Sequence, residues 1–242
     1  MIKNLRDFAR LCKDNGFFFF DNGTKFYCRT FGDGLFQVIS IYKQPNWRKI
    51  IKFGCYSMYG KIFYSVGGNQ FFEPGTYNTH DFAKLYIMTP PTTFEEDLQF
   101  METVGIPFLN NLKTQRDLLD AEAERGKLFQ SGMLPSGLTP WNFNICGAHL
   151  YENEIDAAME RVALIMAQNL SAFLSVNEEL LDSEPSEELA IALQKFVSER
   201  ADVIQCYRVM ISNKPPSISE YLDNWYQTNQ KQIQLMMISR SL

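Results

Sequence analysis

The sequence predicts an α+β protein: an N-terminal helix and an antiparallel meander sheet of four to five strands, followed by a helical C-terminal half of three long amphipathic helices. Two observations predict the sheet. Residues 16–58 fall into short, aromatic-rich runs that alternate apolar and polar side chains. The runs are separated by Asn22-Gly23 and Asp33-Gly34, pairs whose backbones tolerate the positive φ of a tight hairpin loop. A third observation predicts the helical half, because beyond about residue 150 the apolar period changes from 2 to 3.6.

Each element has its own signal. Leu5, Phe8, Ala9 and Cys12 recur at i, i+3, i+4 and i+7, predicting a helix over about 4–14 that stops at Asn15-Gly16. Strands at 17–20 and 24–30 close through a type I′ hairpin at Asn22-Gly23. In the second of them Phe26 and Cys28 alternate with Lys25, Tyr27 and Arg29. Strands at about 35–43 and 49–58 follow, the latter with Ile51, Phe53 and Cys55 on one face, and a turn near Gly60 leads to a continuation at 61–66. Residues 67–81 are rich in turn formers and read as a loop, and Phe82–Met88 as a last strand.

Thr93 and Glu96 have capping-box spacing before a helix whose inner face is Phe94, Leu98 and Met101. Residues 108–124 read as a short helical pair. The Gly-, Pro- and Ser-rich stretch 126–147 is the predicted boundary between a sheet domain, 1–125, and a helical subdomain, 126–242, which packs on the first as one unit or stands apart. Three apolar stripes follow, Ile155 to Leu174, Leu189 to Ile211 and Ile218 to Ile233, the last opened by Ser217 and Glu220 as a second capping box.

Hydrophobic residues make up 45% of the 242 and exclude a disordered chain. The many Phe and Tyr residues suit a sheet core. Five scattered cysteines, an odd number, suit reduced thiols, and neither a leader-like apolar stretch nor a run of roughly 18 apolar residues occurs, so a cytoplasmic location with no membrane segment is expected. Charge is uneven: residues 1–60 carry ten Lys/Arg against four acids, residues 152–205 twelve acids against Arg161, Lys195 and Arg200. Such a split steers anionic partners or lets the two parts attract each other.

No recognisable catalytic set occurs. The weak catalytic candidates are His80 and Asp81, a loop histidine beside a carboxylate that can fix its tautomer. His149 and Glu152 have ligand spacing at i, i+3, but no second Glu-x-x-His accompanies them, so no metal and no cofactor is expected. The candidate binding residues are Tyr27, Arg29, Arg48, Lys49 and Lys52, with Lys43 beside them. The run from Lys49 to Tyr59 is similar to the aromatic strand of an RNA-recognition fold, although the order of elements differs from that fold.

Gly16-Phe17 entering a hairpin, Phe36-Gln37-Val38-Ile39 as a central strand, and Gly105, Pro107, Phe108, Leu109, Asp117 and Leu118 together resemble the bacterial family called domain of unknown function 4304. The likeness covers about residues 1–125. It implies an α+β fold and a bacterial or phage origin, and since that family has no established activity it carries over no catalytic residue.

The expected function is therefore that of a non-enzymatic cytosolic binding protein that recognises another protein, with the aromatic sheet and the acidic helices as candidate surfaces. Two alternatives stand beside it. One is a small-molecule or nucleotide-handling enzyme with a pocket between sheet and helices around His80, Asp81, Arg29 and Tyr27. The other is salt-dependent nucleic-acid binding through Lys43, Arg48, Lys49 and Lys52.

Overall fold

The computed structural model describes residues 4–21, 24–43, 49–66, 69–72, 77–130, 142–177, 186–212 and 216–238. Helix α1, Leu5–Asp14, starts where the Asn4 side chain accepts from the amides of Arg6 and Asp7, and it buries Phe8 and Cys12. Gly16, at φ 78°, then turns the chain into the sheet. Strands β1 (Phe18–Asp21), β2 (Lys25–Phe31), β3 (Leu35–Lys43) and β4 (Lys49–Ser57) form the expected antiparallel meander. The Asn22-Gly23 turn lies outside the described residues.

Register sorts the side chains onto two faces. Tyr27 stands opposite Ile39, Ile39 opposite Phe53 and Phe53 opposite Tyr77, so these four share one face with Arg29, Gln37 and Cys55. The other face carries Phe26, Cys28, Val38 and Tyr56, and both faces are buried. Helices supply core residues to both sides of the sheet, so Tyr27 and Arg29, which alternate with Phe26 and Cys28 in β2, are enclosed as well.

The segment after β4 departs further from expectation. Strand β5 (Phe63–Val66) begins where a continuation is predicted, but it pairs with β6 (Asn69–Phe72) in a separate two-stranded sheet rather than leading into a loop. The fifth strand of the main sheet is the short β7 (Tyr77–Asn78) on β4. The predicted strand at 82–88 is instead helix α2, Thr79–Leu85. Asn78 caps it by accepting from the Asp81 amide, and Thr79, Phe82 and Ala83 are buried at helical spacing. Ile87, at φ 55°, ends this turn in a conformation that β-branched residues rarely adopt.

Helix α3 (Phe94–Phe100) carries the predicted capping box of Thr93 and Glu96. It passes through a π-helical turn, Met101–Gly105, into α4 (Ile106–Asn111), where Pro107 lacks the amide needed to continue the ladder. Helix α5 (Gln115–Gln130) follows. Helix α6 (Asn142–Tyr151) occupies part of the stretch predicted as a boundary, and it contributes to two cores at once. Its Ile145 and Ala148 belong to the sheet core, while Cys146 and Leu150 join Ala158, Val162, Val203, Cys206, Val209 and Tyr221 in a second cluster.

Among the described residues the remaining helices are α7 (Ile155–Val176), α8 (Glu187–Glu199), α9 (Ala201–Ile211) and α10 (Ile218–Ile238). The second predicted stripe is thus two helices, broken at Arg200. Ser217 and Glu220 form the reciprocal bonds of the predicted cap on α10. Ile233 of α10 lies in the sheet core. Two buried asparagines fix the end of β4 against the helices. Asn144 pairs with the backbone of Ser57 in both directions, at 2.7 Å each way, and Asn229 donates to the carbonyls of Met58 and Gly60.

Candidate functional site

The predicted binding residues divide by environment. Arg29 is only 6% exposed, and its guanidinium lies between the rings of Phe17 and Phe31, 4.2 and 4.1 Å from their centroids. Its Nε donates to Gln37 Oε1 at 2.8 Å, and its other nitrogens donate to the Asn15 carbonyl and to Asn110 Oδ1. Gln37 in turn donates to the carbonyls of Leu109 and Leu112. Burial lowers the Arg29 pKa to about 10, so the charge persists at neutral pH. Arg29 therefore ties the end of α1, β2, β3 and α4 together, and its donors are engaged by the fold itself.

His80 opens α2, half-exposed, with Nδ1 3.5 Å from Asp81 Oδ1. Asp81 is also held by Asn78, whose side-chain amide donates to it at 2.6 Å. Arg29 sits on β2 and His80 follows β7, three strands away, about 14 Å at the usual strand spacing. Tyr27 packs on Phe8 and Phe19. The pocket that would have joined Arg29, Tyr27, His80 and Asp81 is not formed by this arrangement.

Lys49 and Lys52 are three apart on β4 and so point to opposite faces, Lys49 toward Phe94 and Lys52 toward Tyr42. They do not make one basic patch. Arg48 lies outside the described residues, as does the side chain of Lys43. His149 does not pair with Glu152; its Nδ1 meets Glu154 Oε2 at 2.8 Å, and Arg116 bridges Glu154 and Glu152. Burial lowers the His149 pKa, and the cluster braces the α6–α7 turn. Among the described residues no group of three His, Cys, Asp or Glu side chains is placed to hold a metal.

Two surfaces stand out, one beside the aromatic sheet and one on the acidic helices. The first is a groove of about 670 Å³ between α1 and the edge strand β1, floored by Leu5, Ala9, Phe17, Phe19 and Tyr27 and edged by Arg6, Lys13 and Lys25. Its signal was present in Phe17 to Phe20: four consecutive rings on an edge strand leave some at the rim, and Phe19 is 38% exposed.

The second is the far half of the α7–α8 pair. Between Arg161 and Glu178 the sequence has no charged residue, yet Leu164, Leu170, Leu174 and Val176 are exposed. Ile191, Leu193 and Val197 of α8 are exposed too, and no residue of α8 is buried. What holds α8 is a ring contact between Phe173 and Phe196, with Arg200 over Phe196 and donating to Asn169. The predicted stripe of α7 is thus buried only near its start, at Ala158 and Val162.

No family model matches the chain, and neither the curated proteins nor the solved structures return a match to it. No helix among the described residues is long and apolar enough to cross a membrane.

Two acids are buried among the described residues, and Asp97 accepts from the Thr79 hydroxyl. Glu122 of α5 is 7% exposed, 3.4 Å from Arg125 Nε, and burial pushes its pKa up to about 7, partly offset by Arg125 and Arg161. The unfolded chain releases this proton near 4.5, so between there and about 7 the folded state holds more protons and stability falls as pH rises. The shift corresponds to about 3 kcal/mol, absent below 4.5 and complete above 7. Urea midpoints from pH 5 to 8 test this: the gap between Glu122→Gln and the natural protein widens in favour of the variant as pH rises. The lowered His149 pKa acts in the opposite sense in both proteins and cancels in that comparison. Parallel curves would show that Glu122 does not titrate in this range.

Proposed function

We propose that this protein acts without catalysis and recognises another protein through the exposed apolar side of α7 and α8. One observation carries the reading: a helix of 13 residues with none buried lies against an uncharged stretch of α7 whose leucines face solvent. Helices of that length are marginal in water unless an apolar face is covered. Exposed apolar side chains gathered on neighbouring helices mark interaction sites when they form a patch of more than a few hundred Å². The matching partner is an amphipathic helix laid along the pair, its leucine-type residues at i, i+3, i+4 and i+7.

The geometry of Tyr27, Arg29, His80 and Asp81 lends the enzymatic alternative no support, and the divergence of Lys49 and Lys52 lends none to the nucleic-acid alternative. The resemblance read from the sequence of residues 1–125 to domain of unknown function 4304 is matched by no family model, and since that family has no established activity it leaves the reading unchanged.

The test compares the natural protein with a Leu170→Glu, Leu174→Glu, Ile191→Glu triple variant as bait in cells of the source organism. All three positions are exposed, so the fold is expected to survive substitution. A protein retained by the natural chain and lost from the variant, with unchanged thermal unfolding, supports the proposal. Identical sets of retained proteins would overturn it.

A further inference from the structure

The groove between α1 and β1 combines an aromatic floor with cations that the fold leaves largely unused. Arg6 and Lys13 are exposed on α1, and among the described residues no acid pairs with either. Lys25 faces them from β2, with an exposed contact to Asp21 at 3.2 Å and its Nζ 5.4 Å from the Phe19 ring. Exposed pairs of that kind exchange partners at little cost. The three elements that form the groove, α1, β1 and β2, carry Arg6, Arg10, Lys13, Lys25 and the buried Arg29 against Asp7, Asp14 and Asp21.

The spacing of the cations identifies the occupant. Arg6 and Lys13 are seven residues apart on one helix, which is about 10 Å along its axis, and Lys25 stands on the opposite wall. A single compact head group would be matched by cations gathered at one end. Charges spread along both walls match a chain that presents acids at intervals, and an extended chain covers 10 Å in about three residues. The floor is a strip of Leu5, Ala9, Phe19 and Tyr27, suited to the apolar side chains that alternate with those acids.

We propose that the groove between α1 and β1 binds an extended acidic segment of another protein, its aliphatic or aromatic side chains on Phe19, Ala9 and Leu5 and its carboxylates on Arg6, Lys13 and Lys25. This site is distinct from the α7–α8 surface and rests on none of the same residues. Its charge supplies rapid, salt-sensitive association, and its floor supplies the residence time.

The experiment displays a random 12-residue peptide library against the full-length protein at low salt. Expected are peptides rich in Asp and Glu interleaved with Leu, Ile or Phe. Their affinity falls about tenfold or more in an Arg6→Glu, Lys13→Glu variant, and it falls again between 50 and 300 mM salt. Ala9→Trp, which fills the floor without altering charge, also abolishes binding, while the α7–α8 triple variant binds as the natural protein does. Selected peptides without acids, or binding indifferent to both groove variants, would overturn the proposal. So would an empty selection together with groove-dependent binding of dodecanoate, which would assign the site to a small anionic amphiphile. Loss of peptide binding in the α7–α8 variant alone would place the contact elsewhere. Thermal unfolding of each variant within a few degrees of the natural protein shows that the fold is kept.

Discussion

Replacing Arg29 with methionine is expected to destabilise the protein by about 3–5 kcal/mol, although methionine fills a similar volume and removes a buried charge. The reason lies in what remains. Gln37 Oε1, the Asn15 carbonyl and Asn110 Oδ1 each accept from the guanidinium, and all three stay in place without that donor. The sandwich with Phe17 and Phe31 loses its planar cation at the same time. Arg29→Lys separates the two contributions: it keeps the charge but cannot span three acceptors with one planar fork, so most of the loss remains. Urea unfolding of the three proteins measures this. A loss under about 1 kcal/mol for methionine would mean that the network is not what joins α1 and α4 to the sheet.

Gly147→Ala is expected to be destabilising by about 3 kcal/mol, against the roughly 1 kcal/mol that alanine gains over glycine within a helix. A Cβ at Gly147 would stand 2.4 Å from the Tyr59 carbonyl oxygen and 2.6 Å from the Gly60 amide nitrogen. Both are backbone atoms, and Asn144 and Asn229 already hold that turn from two helices. The helix must lift away instead. Tyr59 stacks on Tyr151 at 4.2 Å and on Tyr226 at 5.3 Å, so near-ultraviolet circular dichroism reports the displacement alongside the stability loss. A stabilised variant with an unchanged aromatic signal would show that α6 is not seated so tightly on residues 59–60.

Sequence was a good guide where structure is set by neighbours along the chain. The period of Leu5, Phe8, Ala9 and Cys12, the turn at Asp33-Gly34, and the caps at Thr93 and Ser217 all depend on a few adjacent residues, and the structure has them. It was a poor guide where the deciding contact is distant. Thr79–Leu85 has a local cap in Asn78, but Phe82 is buried at helical spacing against Phe53 and Phe108, which arrive from β4 and α4. Helix α6 forms in a stretch rich in Gly and Pro because Gly147 permits close approach to another turn.

The same distinction explains the site residues. Arg29 and Tyr27 alternate with apolar neighbours in β2 as solvent-facing residues do, but α1 and α4 arrive from outside the strand to enclose them. Conversely, the stripe through Leu170 and Leu174 has the spacing of a buried face, yet both side chains stay exposed. The groove required the tertiary pairing of α1 with β1, and it was foreshadowed only by four phenylalanines in a row.

The bond from Asn229 to the carbonyls of Met58 and Gly60 spans some 170 positions of chain. During synthesis, residues 57–60 therefore leave the ribosome long before their partner exists. Until α10 emerges and Ile233 reaches the sheet, two inward-facing carbonyls lack their donor, so the turn after β4 closes only once that helix is made and a nascent chain halted before it is a target for holdase chaperones.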